Sequence, residues 1–188
     1  MKPLILIGVL VVVATGAVVL QRDEAAGLPD AQGCPGSGAF PEQADLEANR
    51  EAILCLLNAE RAKHGLVALR QHPLLELASQ RHSDDMVRRK FYEHETPDGV
   101  DPQMRMSAVG YAPPWTGENL YTGTGTEATP VRALKGWMES PGHRANVLRP
   151  EYTEVGIGLA HDAPRPVTGR AAIYTTDFGR PPAVPSGR

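Results

Sequence analysis

Apolar positions recur at helical spacing through the first two thirds of the chain and in strand-like runs near its end. Leu46, Ile53, Leu54 and Leu57 place a helix over about 44–64, with Gly65 as its stop. Pro73 opens a second helix that runs to about Lys90, and Leu75, Ala78, His82 and Met86 form one strip along it. A short helix over 101–109 ends at Gly110. Thr129-Pro130 has the layout of an N-cap followed by proline at the first helical position, and it starts a helix to Glu139. That helix carries Val131, Leu134, Trp137 and Met138 on its apolar face. Ser140-Pro141 repeats the signature at once, so a new helix begins with His143 in its first turn. Pro113-Pro114 and the glycines at 117, 123 and 125 predict irregular backbone, with a flexible loop around Gly123 and Gly125. Runs over 155–161 and 171–178 read as strands joined by a proline-rich loop. Helices first and an antiparallel pair last predict an α+β domain.

The amino end changes the picture of where this domain works. Lys2 precedes an uncharged apolar run, Leu4–Leu20, the layout of a signal peptide; the run is also long enough for an uncleaved membrane anchor. Either outcome puts the domain outside the cytoplasm, secreted or tethered through residues 4–20. Residues 21–43, rich in Gly, Pro and Ala, read as a linker, 44–180 as the domain, and 181–188 as a disordered tail. Of the two cysteines, Cys34 and Cys55, an oxidising compartment makes a disulfide the first reading. Two unpaired thiols, with Cys55 buried in its helix, are the alternative. A net charge of -3 with scattered basic residues excludes a nucleic-acid footprint, and 5% aromatics leave no stacking platform for bases.

Three residues stand out as candidate chemistry. His94 lies at the junction between the second helix and the turn Thr96-Pro97-Asp98-Gly99. Glu118 is set between Gly117 and Asn119 in a stretch otherwise short of charge. His143 sits at a helix start, where the positive dipole end favours neutral imidazole, the form that ligates metals or accepts protons. Glu139 comes four residues before His143, but the Ser-Pro break lies between them. Two histidines with one or two carboxylates are the ligand types for zinc with an open water position, and equally for general acid–base work. Of the other histidines, His82 on an apolar strip reads as a core histidine, His64 lies in the last turn of the first helix, where a partly charged ring suits the dipole, and His72 and His161 lie at element edges with no evident partner. The glycine run lacks the GK[ST] of a phosphate loop, and capping accounts for Ser140 without any triad.

Six ordered segments resemble one family: LLNAERAKHGLVAL (56–69), HSDDMVRRKFYEHETPDG (82–99), GENLYTG (117–123), WMESPGHRANVL (137–148), YTEVGIGLA (152–160) and YTTDFG (174–179). Together they are similar to the bacterial branch of the CAP superfamily, the cysteine-rich secretory/antigen 5/pathogenesis-related-1 group. The resemblance implies an α-β-α sandwich with a small antiparallel sheet between helical layers, and an extracytoplasmic protein. It also implies a cleft lined by two histidines and two acids, three of which map onto His94, His143 and Glu118. In eukaryotic members the fourth position is an acid three residues after the helix tryptophan, where this chain has Ser140; Glu139 comes one residue earlier. Some members bind a divalent metal at the histidine pair and others bind sterols or lipids, and no reaction is shared. The leading expectation is a divalent ion, zinc first, held by His94 and His143 in a cleft that binds an unknown extracytoplasmic small ligand or protein. A metal-assisted hydrolase with Glu118 activating water is the second reading. A structural module of the cell envelope is the third. The absence of an evident nucleophile weighs against the hydrolase.

Overall fold

The computed structural model describes residues 33–41, 45–112 and 115–181. The segment 1–20 expected to be a signal or anchor, most of the expected linker 21–43 and the expected tail beyond 181 lie outside them. Within the described residues five helices and four strands follow in the order α1 (Leu46–Lys63), β1 (Arg70–Gln71), α2 (Pro73–Arg89), α3 (Pro102–Ala108), β2 (Thr116–Thr124), α4 (Pro130–Glu139), α5 (Pro141–Val147), β3 (Glu154–His161) and β4 (Ala171–Gly179). Proline stands in the first turn of α2, α3, α4 and α5, where a missing N–H costs nothing. The strands form one sheet in the order β1-β3-β4-β2. β2 and β3 flank β4 antiparallel, and β1 adds a short parallel pairing at the far edge. This mixed sheet extends the expected antiparallel pair, and the α+β class holds.

Strand alternation sorts the core into two layers. Val155, Ile157 and Leu159 of β3 and Tyr174 and Phe178 of β4 face α1 and α4, where Trp137 lies in the largest apolar cluster. The opposite face carries Ile173, which packs with Leu120 and Met86 beneath α2. Helix α2 comes unusually close to β3 on this side. A Cβ at Gly156 would lie 2.0 Å from the Leu75 carbonyl carbon, and one at Gly158 would lie 2.3 Å from that of Ser79. Only glycine admits the helix backbone at that distance.

The region read as irregular around Gly117 and Gly123 is instead strand β2, paired with β4 over nine residues from Thr116↔Gly179 to Thr124↔Ala171. A single 3₁₀ turn, Gly125–Ala128, replaces the expected flexible loop. Pairing with the buried β4 overrides the weak strand propensity of Gly, Glu and Asn. As an edge strand, β2 would expose backbone carbonyls. Two alternate ones are covered: Asn146 Nδ2 donates to Glu118 O at 3.1 Å and Trp137 Nε1 to Leu120 O at 2.9 Å.

Cys34 and Cys55 form the disulfide, with Cα atoms 5.7 Å apart. The bridge pins 33–41 to α1, and Val131 N donates to Ser37 O at 2.9 Å, so this end of the 21–43 segment packs on the domain rather than hanging free. Breaking the bridge, by reduction or by Cys34→Ala with Cys55→Ala, should cost about 3 kcal/mol for a loop of this size. Urea unfolding reads that loss. A cost under about 1 kcal/mol would mean that the segment contributes no constraint to the unfolded chain.

Candidate functional site

Strand β2 gathers the candidate residues because neighbouring side chains on it point to opposite faces. Glu118 turns toward the α2 and α3 side, where its Oε1 accepts from His94 Nδ1 at 2.7 Å and its Oε2 pairs with Arg105. Asn119 turns the other way. Its Nδ2 donates to the His143 backbone carbonyl at 3.0 Å, and its Oδ1 accepts from Asn146 Nδ2 at 2.9 Å. One dipeptide therefore fixes both histidines, and their rings meet across the sheet edge with centroids 6.4 Å apart.

His94 is held from its backbone as well. Arg105 Nη1 donates to the His94 carbonyl at 2.7 Å and to Val100 O at 3.1 Å, while its other end grips Glu118. The turn closes with Gly99 N on Thr96 O and Val100 N on Thr96 Oγ1. A carboxylate only accepts, so His94 Nδ1 carries hydrogen and the neutral ring leaves its Nε2 lone pair free. The His94 side chain is 51% exposed, whereas that of Glu118 is 1% exposed.

The electrostatics follow from that burial. The hydrogen bond to Glu118 raises the His94 pKa against the opposing effect of partial burial. Burial works against the Glu118 carboxylate too, but the His94 hydrogen bond and the Arg105 charge outweigh it and hold its pKa below the ordinary value. Burial, and then the neighbouring His94, lower the pKa of His143. Desolvation is thus a second physical reason for a neutral His143, beside its place in the first turn of α5. Ser140 occupies the N-cap position of α5, but its side chain makes no capping bond. Nor does the Thr129 side chain cap α4; its Oγ1 donates to Thr126 O instead.

Glu139 is not drawn into this group. It projects from α4 with its side chain 67% exposed, 3.7 Å from Lys135 one turn back. Of the remaining histidines, His82 is buried as expected, with Nε2 donating to Glu93 O at 3.0 Å. His72 caps α2 by accepting from Leu74 N at 3.3 Å, His161 donates to Pro41 O at 2.9 Å, and His64 lies 3.4 Å from Glu60. Two members of the cluster escaped the sequence reading. Arg105 carried no local signal. Asp177, an acid inside the apolar strand run, did carry one; it is the cross-strand partner of Glu118.

Among the described residues no three histidines, cysteines or acids gather as a metal cage. The donor set at the cleft is two facing imidazoles, one of them oriented by a buried carboxylate. That arrangement fits a divalent ion that completes its coordination with water or a ligand.

Comparisons with known proteins place the family and the fold. The profile of the cysteine-rich secretory protein family, CAP, matches residues 54–176. The uncharacterized protein YkwD of Bacillus subtilis is 33% identical over 133 residues, 71% of this chain and 48% of that protein. An extracellular protein containing a SCP domain, from Bacillus anthracis, superposes with a TM-score of 0.59 at 25% identity, over 72% of this chain and 44% of that one. An outer surface protein of Borrelia burgdorferi shares the fold at a TM-score of 0.60 and 19% identity, over 72% of this chain and 95% of that one. The chain spans less than half the length of the two Bacillus proteins. Because the matched span runs through His94, Glu118 and His143 and covers most of the folded residues, the chain belongs to the cysteine-rich secretory protein (CAP) family.

Proposed function

We propose that this chain is an extracytoplasmic CAP domain, secreted or tethered through residues 4–20, whose cleft binds a divalent ion through His94 and His143. The ion, zinc first, offers an open position to a small ligand or a partner protein. The observation that carries this reading is the pair of imidazole rings 6.4 Å apart, with Glu118 locking the tautomer of one. Bound there, a divalent ion supplies a Lewis-acidic point at the mouth of the cleft. The chain's own residues keep His94 Nε2 available and exclude water from the carboxylate behind it. Export is supported by the charged and apolar leader, by the disulfide and by the extracellular description of the Bacillus anthracis relative. Among the described residues no helix is long and apolar enough to cross a membrane, so a tether would rest on 4–20.

The hydrolase reading needs Glu118 to activate water. Both of its oxygens are engaged, by His94 and by Arg105, and its side chain is buried. Its arrangement suits holding His94 rather than taking a proton from solvent. A purely structural module remains as an outcome of the test. Calorimetric titration of zinc into the folded domain should show one site, and either His94→Ala or His143→Ala should weaken it at least about tenfold, or about 1.4 kcal/mol. Absence of binding by the unaltered domain would end the metal reading and leave the structural one.

A further inference from the structure

Beneath His94 lies a second carboxyl that the cleft chemistry leaves unused. Asp177 on β4 is the cross-strand partner of Glu118 on β2, and it is completely buried. Both side chains point to the α2 face, so the two carboxyls share one low-dielectric space.

The donors around Asp177 do not add up for a carboxylate. Ser79 Oγ, 2.9 Å from Oδ2, is the one donor to this carboxyl among the described residues. That hydroxyl has a single hydrogen and also lies 2.9 Å from Leu75 O and 3.1 Å from Gly156 O. One shared hydrogen cannot offset the desolvation of a buried negative charge. Counted as an acceptor, Oδ1 finds no donor at all. What stands beside this carboxyl is that of Glu118, its cross-strand partner on the same buried face.

The charged groups facing Asp177 are Glu118 from β2 and Arg105 from α3; His82, on α2, stands against the same Glu118. Arg105 and His94 spend their donors on Glu118, which makes Glu118 the ionised member of the pair. Burial, then the Glu118 charge, push the Asp177 pKa well above the usual carboxyl range. Two adjacent buried carboxyls holding one proton between them is the stable arrangement.

We infer that Asp177 is held as the neutral acid and donates its proton from Oδ1 to Glu118, a positioning residue that fixes Glu118 as the acceptor for His94. A carboxyl that would otherwise be an orphan becomes the third hydrogen-bond donor to Glu118, beside His94 and Arg105. The inference rests on the proposed metal reading only where zinc is the probe.

Infrared difference spectra between the unaltered protein and Asp177→Asn at neutral pH decide it directly. A protonated-carboxyl stretch should be present in the first and lost in the second. Its absence overturns the inference whether or not the cleft binds metal. The stability profile is the second readout. In the unfolded chain an aspartate ionises near about pH 3.9. A raised native pKa stabilises fully below that value, and the contribution is lost as pH rises toward the native pKa. Asp177→Asn should therefore be at least as stable as the unaltered protein at about pH 7, with the advantage narrowing toward about pH 4. A variant that is weaker at neutral pH and recovers in acid would mean an ionised Asp177, and would overturn it. With zinc as probe, Asp177→Asn keeps an N–H for Glu118 and should bind within about twofold of the unaltered protein, whereas Asp177→Leu should lose about tenfold. Equal affinity for both variants would remove the positioning role. If nothing binds zinc, the metal reading fails, and the infrared band still decides the state of Asp177.

Discussion

Trp137→Ala should destabilise the domain by about 3–5 kcal/mol, the range for truncating a large buried aromatic. The side chain is fully buried where α4 meets the sheet, in the cluster that also holds Ile53, Leu57 and Tyr174. Its role goes beyond filling space. The indole N–H donates to the Leu120 carbonyl on the outer side of β2, which no neighbouring strand covers among the described residues. Trp137→Phe separates the two contributions. It keeps most of the ring and removes the donor, so about 1–3 kcal/mol for the uncovered buried carbonyl should remain as the loss. Urea unfolding followed by far-ultraviolet circular dichroism measures both, with unchanged m-values as the condition for comparison. A loss below about 1 kcal/mol for the alanine variant would contradict the burial and the hydrogen bond together.

The same contact explains why β2, the longer of the two strands missed in the sequence, was invisible while β3 and β4 were legible. The helices announced themselves through 3.6-residue spacing and through proline in their first turns; α1 to α4 lie within two residues of their expected bounds, and α5 starts where its proline placed it. Strands β3 and β4 were legible as apolar, β-branched runs. Strand β2, TGENLYTGT, does alternate, with Glu118, Leu120 and Thr122 toward one face and Asn119 and Tyr121 toward the other. Both faces carry polar groups, because one holds the cleft carboxylate and the other the amide that ties down α5. The hydrophobic pattern that marks a strand is therefore missing where the strand carries the candidate site. The site residues themselves were readable from local chemistry: a histidine at a junction, an acid beside glycine, a histidine at a helix start. Their convergence was not, since it depends on β2 bridging two helical layers. Arg105 and Asp177 enter only through that bridge, one from a short helix with no distinguishing spacing and one from within a strand.

Arg61 sets the second large effect, and it connects the core to the cleft. It is fully buried on α1, and its guanidinium donates to four backbone carbonyls: Val67 at 2.9 Å, Val147 at 2.8 Å, Arg149 at 3.0 Å and Tyr152 at 2.8 Å. No carboxylate pairs with it among the described residues. Burial lowers its pKa, yet a guanidinium stays charged, so the carbonyl dipoles take the place of a counterion. Val147 closes α5, whose terminal carbonyls have no partner within the helix. The planar fork therefore clamps the end of the short helix that presents His143. Arg61→Met keeps most of the volume but leaves the fully buried Val147 and Tyr152 carbonyls without donors. At about 1–3 kcal/mol for each, the expected loss is about 2–6 kcal/mol. Arg61→Lys should recover only part of it, because one ammonium cannot span four divergent acceptors. Hydrogen exchange gives the local readout: amides of α5 and of the segment to Tyr152 should lose more protection than those of α2. Uniform loss across both layers would place Arg61 in general stability alone, with no particular hold on the helix that carries His143.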